Sequence, residues 1–419
     1  MFGFRSSRAG SSHWSSLAPS LTAILVNCLL VLLFHSAAAQ NSGGPSAPPE
    51  RKGYVGDAVC LPCHQEQGAP YLRTAHHLTS QMPTAESILG SFSTGSNVLM
   101  IRDSRYSLFD PGLYFKMEAD HDGFHQTAVA EAHGESRTRS GTMDVVIGSG
   151  VRGQSYLWWQ GEHLYQLPVS YWRDGNQWIN SPGTEDYTAV FDRSIVPRCI
   201  ECHAAYIKTL EADTAANTYD RQSLVLGIAC ETCHGPGANH VARQAQAAHP
   251  HPGASQEILS LAKLPRDRQM DICALCHSGA LRALKQPAFT YRPGDPLDQY
   301  LEPNPSDSDP QPDVHGNQVG MLKRSRCYLS SSTLTCSTCH NVHAVEQPAA
   351  SYSVKCLGCH QVKSCGEFQK QGQGIAERCV ECHMPMQKSR AIVSETAGRE
   401  ITTSIRTHWI KVYSEVQQP

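Results

Sequence analysis

The pentapeptide Cys230-Glu-Thr-Cys-His234 is one of seven copies of the pattern Cys-x-x-Cys-His in this chain of 419 residues. The copies contain fourteen of the 17 cysteines. Chance would supply only about 0.03 such matches in a chain of this composition, so the repetition decides how the chain must fold. The seven copies are Cys60/Cys63/His64, Cys199/Cys202/His203, Cys230/Cys233/His234, Cys273/Cys276/His277, Cys336/Cys339/His340, Cys356/Cys359/His360 and Cys379/Cys382/His383.

The spacing within this motif is that of covalent haem attachment. Two intervening residues set the thiols where they can form thioethers with the two vinyl groups of a porphyrin, and the next residue places a His beneath the ring as the proximal iron ligand. Zinc sites need two Cys pairs, or one pair with two distant His, and disulfides do not need the His. We therefore predict seven covalently attached haem c groups, held by the fourteen motif cysteines and ligated by the seven motif histidines.

The positions of the motifs predict the organisation of the chain. No motif lies between His64 and Cys199, and the other six are all contained in 199–383. The intervals that separate the fifth, sixth and seventh motifs are too short for independent domains, so those haems are expected to share one packed core. We predict a signal peptide at 1–39, an N-terminal haem segment at 40–89, a β-rich haem-free insert at 90–195 and a haem-dense multihaem cytochrome domain at 196–419.

The insert has the strongest strand signals, because aromatic and β-branched residues alternate there and turn dipeptides separate them. Three hairpins are predicted. They are Leu113–Ala119 with the turn Asp122-Gly123, Ser155–Trp159 with Glu162–Leu167 around Gln160-Gly161, and Val169–Trp172 with Gln177–Ile179 around Asp174-Gly175.

The C-terminal half reads as short helices and loops. Good helix formers at Ala204–Ala216 and Pro265–Leu284 predict two helices, and the polar, Pro-rich residues 301–313 predict a loop. The expected fold is mainly α with extensive loops around a multihaem core, plus a small antiparallel β insert, within the α+β class.

Composition and the N-terminus bear on partners and location. Lys and Arg number 35 against 38 Asp and Glu, and a nucleic-acid-binding protein would carry a basic excess. Arg5 and Arg8, the apolar run Leu21–Phe34 and the small residues Ala37–Ala39 form a secretory signal pattern. We expect export to the periplasm and no stable membrane span after cleavage; an uncleaved anchor is the alternative.

Several fragments resemble the multihaem cytochromes c of the cytochrome c-554 and doubled Cys-x-x-Cys-His type. They are Tyr54–His64, Cys230–His240, Leu334–His343 and Cys379–Pro385. The resemblance implies closely packed haems, two His ligands on most irons, and storage or relay of electrons. It does not fix a substrate.

Candidates for the second iron ligands come from the twelve other His of the mature chain. His240 follows a Gly-Pro-Gly turn that brings the chain back beside its haem, and the resemblance implies a distal role for it. His343 is poorly placed for its own haem and is expected to serve a neighbouring one. His408 resembles the family's C-terminal ligand. One of His76 and His77 is expected to be a ligand.

The other candidates are weaker. His315 lies in the loop before the fifth motif and is expected to be an iron ligand. Further sequence positions are assigned less specifically: His249 and His251 supply at most one ligand between them, His121, His125, His133 and His163 are expected to face solvent, and Met384 and Met386 are expected to pack rather than ligate. Cys327 and Cys365 lie outside the motifs, and a disulfide and two buried thiols are both open.

These features predict electron transfer or storage through mostly bis-His haems. The expected partners are other cytochromes or a membrane quinol-oxidising complex. The alternative is an oxidoreductase in which one haem keeps an open sixth position and acts on a small nitrogen or sulfur compound. The sequence favours the electron carrier.

Overall fold

Antiparallel strands form four sheets in the part of the chain that the computed structural model describes, which is residues 51–102, 112–211, 213, 215–246, 257–279, 282–304 and 316–413. The strands are β1 Ser80–Gln81, β2 Val98–Arg102, β3 Gly112–Asp120, β4 Gly123–Ala132, β5 Glu135–Thr142, β6 Val145–Ile147, β7 Gly153–Gln160, β8 His163–Gln166, β9 Val169–Trp172, β10 Gln177–Asn180, β11 Arg193–Ser194, β12 Ala204–Thr209, β13 Tyr219–Leu226, β14 Met386–Thr396 and β15 Arg399–Arg406.

All three predicted hairpins are confirmed. Strands β3 and β4 pair antiparallel up to Asp120↔Gly123, β7 and β8 up to Gln160↔His163, and β9 pairs with β10. The second turn needs Gly161, whose φ of 61° lies in the left-handed region that glycine tolerates. The turn dipeptides therefore located these reversals to within a residue.

The insert strands build two of the four sheets. One has four strands in the order β2-β3-β4-β5. The other has seven strands and contains the path β1-β6-β7-β8-β11, with β9 paired to β7 and β10 paired to β9. Phe115 and Met117 alternate inward along β3 and are fully buried, as is Tyr156 of β7. The insert therefore has an apolar core built from its own side chains together with Ile88.

The prediction of a mainly α fold is wrong, because strands also occupy the haem-dense half. Helix and strand take similar shares of the chain. The predicted helix Ala204–Ala216 is instead β12, paired with β13. Ala205 and Ile207 are buried while Tyr206 and Lys208 are half-buried, so burial with a period of two outweighed helix propensity. Strands β14 and β15 form a further hairpin that the sequence analysis missed.

The α-helices of the described residues are short. They are α1 Asp57–Cys60, α2 Gln65–Tyr71, α3 Pro197–Glu201, α4 Cys230–His234, α5 Ala238–Gln246, α6 Arg266–His277, α7 Gln318–Lys323, α8 Arg326–Leu329, α9 Cys336–Cys339, α10 Ala349–Leu357, α11 Phe368–Gln371 and α12 Cys379–His383. One-turn 3-10 segments lie at His77–Thr79, Leu261–Lys263, Leu297–Gln299 and Val362–Ser364, and a longer one at Gly372–Arg378.

Helix α6 corresponds to the predicted helix within 265–284, and it carries Cys273, Cys276 and His277. It ends at His277 because the chain turns away through Gly279, whose φ is 90°. Among the described residues, no helix combines the length and apolar character that crossing a membrane requires. The predicted signal peptide lies outside the described residues, as does most of the predicted loop 301–313.

Candidate haem sites

Each attachment motif sits on or beside a helical segment. In several motifs the backbone N–H of the His donates to the carbonyl of the first Cys, as from His64 to Cys60 at 3.1 Å and from His340 to Cys336 at 2.9 Å. This bond places the first thiol and the imidazole one turn apart, with the second thiol between them. All motif cysteines are thiols that form no disulfide, so both sulfurs of each motif are available for thioether bonds.

Exposure differs among the motif cysteines, which the sequence analysis treated alike. Cys63, Cys199 and Cys359 are exposed, whereas the other motif thiols are half-buried. The predicted haem-binding residue Cys63 is thus at the surface rather than enclosed, next to His64, which is also exposed. Its motif partner Cys60 faces Cys230 of the third motif instead. The attachment edge of the first motif is therefore open to solvent on the Cys63 side and covered by protein on the Cys60 side.

Three motif histidines stack against a distant His. The ring centroids of His64 and His240 are 6.1 Å apart with 27° between the planes. His234 and His343 are 6.0 Å apart at 17°, and His340 and His408 are 6.2 Å apart at 27°. All three partners are histidines that the sequence analysis singled out.

A fourth motif histidine meets His76. The centroids of His277 and His76 are 5.9 Å apart and the rings are perpendicular, at 89°. Of the two neighbouring candidates His76 and His77, the structure thus brings His76 to a motif histidine. His77 instead has its Nδ1 3.7 Å from the carboxylate of Asp57.

These distances fit an iron between the rings. A metal bound by two imidazole nitrogens at roughly 2 Å each, with each ring centre roughly 1 Å further out, separates the ring centres by about 6 Å. The residues present therefore fit bis-His ligation of haem iron at these four motifs, where the group would supply one-electron redox chemistry.

Hydrogen bonds orient several of the imidazoles. The Nδ1 atoms of His234, His383 and His408 lie 2.9, 2.9 and 3.2 Å from the carbonyl oxygens of Leu259, Lys411 and Arg406. A carbonyl accepts from a protonated Nδ1, which leaves Nε2 as the lone-pair nitrogen for a metal. His203 and His277 make side-chain bonds through Nδ1, to Thr79 at 3.0 Å and Gln318 at 3.2 Å.

Burial favours the neutral form of His76, His277 and His408. Desolvation, followed by the nearby His277 and His340, lowers the pKa of His76 to about 4. Desolvation together with His340 lowers the pKa of His408 to about 4. Burial also lowers the pKa of His277. Only the neutral imidazole binds a metal, so these surroundings favour the ligating form.

Cysteines of different motifs contact one another. The thiol of Cys60 lies beside that of Cys230, and the thiol of Cys273 beside that of Cys336. The thiols of Cys202 and Cys276 form a third neighbouring pair. Because each sulfur would attach to the edge of a porphyrin, these neighbours would bring together the attachment edges of motifs one and three, four and five, and two and four.

Two buried carboxylates tie the first motif to the third. Glu231 accepts hydrogen bonds from the backbone N–H groups of Val55 and Gly56, at 3.0 and 2.8 Å, and is 3% exposed. In return Asp57 accepts one from the backbone N–H of Cys230, at 2.8 Å. This reciprocal pair was not predicted, because the sequence around an acidic residue does not show which distant segment will donate hydrogen bonds to it.

The remaining candidates are dispersed. His315, His249 and His251 lie outside the described residues. His121 is exposed beside Asp122, His125 contacts Asp120, and His163 contacts Asn217 at 2.9 Å. Of the others, His133 and Met386 are exposed, Met384 is half-buried, and the thiols of Cys327 and Cys365 form no disulfide.

Of the three motif histidines outside these four pairs, His203 contacts Thr79 through its Nδ1 at 3.0 Å, and the other two are His360 and His383. Within the described part of the chain, His360 and His383 have no imidazole stacked against them. His360 is exposed and His383 is half-buried, with its Nδ1 on the Lys411 carbonyl. Both belong to the last two motifs, where the chain is rich in exposed side chains.

Comparison with known proteins agrees with the motif analysis. Residues 168–235 match the family model described as cytochrome c554 and c-prime, a range that contains the second and third motifs. The fold is similar to the crystal structure of the outer cell wall cytochrome OcwA, with a TM-score of 0.53, 16% identity, and coverage of 86% of this chain and 80% of that one. No curated protein matches. The predicted resemblance to multihaem c-type cytochromes is confirmed.

Proposed function

We propose that this multihaem c-type cytochrome is an exported protein that carries seven haem c groups and transfers or stores electrons. One observation carries the proposal: four motif histidines face a second histidine at centroid distances of 5.9–6.2 Å. Six-coordinate iron has no vacant position for a substrate, so haems ligated in this way exchange electrons.

The ligand assignments follow from the pairs. His64 and His240 would hold the first haem, His234 and His343 the third. His277 and His76 would hold the fourth, and His340 and His408 the fifth. Because each of these distal ligands comes from a segment far along the chain from the motif it faces, incorporation of haem would tie together distant parts of the sequence.

Contacts between thiols support rapid relay. The attachment edges of motifs one and three, two and four, and four and five would meet, because their cysteines lie side by side. Redox partners would be other cytochromes or a membrane quinol-oxidising complex. We propose that the mature chain consists of an N-terminal haem segment, a haem-free insert and a haem-dense domain.

The case for export rests on the leader. Its positive start, apolar run and Ala37–Ala39 form a signal pattern, and covalent haem c is attached outside the bacterial cytoplasm. The similarity of the fold to that of the outer cell wall cytochrome OcwA supports export. We propose a periplasmic mature protein.

A second candidate function has one observation in its favour. In this candidate the sixth or seventh haem, whose motif histidines His360 and His383 have no imidazole partner among the described residues, would keep its sixth position open for a small nitrogen or sulfur compound. The paired haems would then feed electrons to that site or drain them from it. Binding of carbon monoxide by the reduced protein distinguishes this candidate from a pure carrier.

The haem count tests the main proposal. The matured protein should contain seven haem c per chain by pyridine haemochrome assay and intact mass. Replacing Cys356 and Cys359 with Ser should leave six, whereas replacing the non-motif Cys327 and Cys365 with Ser should leave seven. Purified protein with fewer than seven covalent haems, or with bound zinc instead, would contradict the proposal.

A further inference from the structure

The same local sequence occurs at two attachment motifs. Arg198-Cys-Ile-Glu-Cys-His203 contains the second motif and Arg378-Cys-Val-Glu-Cys-His383 the seventh. In both, the Arg pairs with the Glu three residues on, at 2.9 Å for Arg198 and Glu201 and 3.3 Å for Arg378 and Glu381. The chain thus contains an internal comparison between two chemically matched sites.

The two ion pairs differ in burial. The side chains of Arg198 and Glu201 are 10% and 5% exposed, whereas those of Arg378 and Glu381 are 45% and 51% exposed. A buried charge is costly unless it is paired and hydrogen-bonded. The exposed pair at the seventh motif shows that the attachment sequence itself does not require this burial. Haem attachment alone does not explain the buried pair.

The contacts of Arg198 explain its position. Its guanidinium donates to the carbonyl of Leu275 at 2.6 Å and to the sulfur of Cys202 at 3.3 Å. Leu275 lies in α6 directly before Cys276, whose thiol lies beside that of Cys202. Arg198 therefore joins the second motif to the helix that carries the fourth, at the point where their thioether sulfurs meet.

Glu201 extends the connection. It accepts a hydrogen bond from Arg198 and another from the backbone N–H of Phe289, at 2.6 Å. The carboxylate thus fixes the guanidinium through a contact separate from α6. Arg378 makes only local contacts, with Glu381 and with Gln371 at 2.9 Å.

We propose that Arg198 is a positioning residue that locks the second haem-attachment motif onto the fourth and sets the redox potential of the haems held there. The inference rests on the proposed function, because it presumes haem at both motifs. A buried cation stabilises the reduced form of a neighbouring haem, which has one positive charge fewer, and so raises its potential. At Arg378 water and salt screen the same charge.

The test compares Arg198→Met with the matched control Arg378→Met by spectroelectrochemical titration and low-temperature EPR of the holoprotein. Arg198→Met should retain seven haems, while one or two of the seven potentials fall. The expected change in the ratio of oxidised to reduced haem is roughly tenfold, or 59 mV for a one-electron couple. In Arg378→Met the same ratio should stay within about twofold of its wild-type value at all seven haems.

Arg198→Lys keeps the experiment decisive if Arg198→Met does not assemble. Lysine retains the charge but, as a point donor, does not hold Glu201, Leu275 and Cys202 together. The ratio of oxidised to reduced haem at the affected haems should therefore change by at least about twofold. Wild-type potentials in Arg198→Met, or in Arg198→Lys where the Met variant fails to assemble, would overturn the inference. Equal shifts in the Arg378→Met control would overturn it too. Wild-type protein without seven haems would instead overturn the proposed function.

Discussion

The imidazoles of His234 and His343 stack at 6.0 Å with 17° between their planes, although His234 belongs to the third motif and His343 follows the fifth. The chain thus brings a histidine that follows one attachment motif to the motif histidine of another. This crossing between motifs recurs in the thiol contacts, and again where Asp57 and Glu231 each accept a backbone hydrogen bond from the other's segment.

Replacing His343 with Ala should open the sixth position of the third haem. One haem in seven should become high-spin in the ferric state and should bind carbon monoxide when reduced, because the distal imidazole is lost. EPR and optical difference spectra would measure both effects. His121→Ala is the control, since His121 is 88% exposed and distant in sequence from every motif. An unchanged spin state in His343→Ala would refute the ligand assignment.

Glu231→Gln should weaken the connection between the first and third motifs. The buried carboxylate accepts backbone hydrogen bonds from Val55, Gly56 and Gly237, and the amide that replaces it presents a donor to some of them. We expect a loss of about 1.5–3 kcal/mol in the free energy of unfolding, measured with denaturant. The exposed Glu381→Gln should cost less than about 0.5 kcal/mol. Equal losses in the two variants would contradict this account.

Phe115→Ala should destabilise the insert without removing haem. Phe115 is fully buried in a core made of insert side chains, so truncation should cost about 3–5 kcal/mol. The haem count should stay at seven, because the attachment motifs lie outside that core. Lys116→Ala on the same strand serves as the control, as its side chain is 47% exposed. Loss of haem from Phe115→Ala would show that the insert is required for the haem core.

The stability of the protein should fall in mild acid. Burial lowers the pKa of His76 and His408 to about 4, against about 6.5 in an unfolded chain. The unfolded state therefore binds more protons between these values. The stabilising contribution is complete above pH about 6.5 and is lost as the pH falls toward about 4.

Denaturation curves between pH 7.5 and 4.5 would measure this slope. His408→Asn should make the pH dependence shallower, because it removes one of the two groups; it should also open the sixth position of the fifth haem, which the optical spectrum reports separately. His133→Asn, at an exposed turn, should leave the slope unchanged. A slope in His408→Asn as steep as in the wild type would contradict the assignment to buried imidazoles.

Local patterns predicted some features of this chain and failed at others for identifiable reasons. The turns predicted at Asp122-Gly123 and Gln160-Gly161 lie within one residue of the observed turns at 121–122 and 161–162, because turn dipeptides and alternation act over a few residues. The strand Ala204–Thr209 was not, since its partner Tyr219–Leu226 and the buried side of Ile207 override the helix propensity of its residues.

The sites show the same division. The motifs predict the proximal ligands directly. The sequence also predicts His240, His343 and His408 as distal ligands, and the structure brings each of them to a motif histidine. The choice of His76 over His77 required the structure, because both lie next to each other in sequence. The different burial of Arg198 and Arg378 could not be predicted either, because their local sequences are nearly the same and only the side chains packed over them differ.

The most direct test of the central claim is the optical spectrum of the dithionite-reduced, matured protein before and after carbon monoxide is added. Four of the seven motif histidines are paired, so the account predicts sharp c-type bands and a carbon monoxide response from no more than three of the seven haems. A colourless protein, or a Soret shift involving most of the haems, would contradict electron transfer through bis-His haem sites.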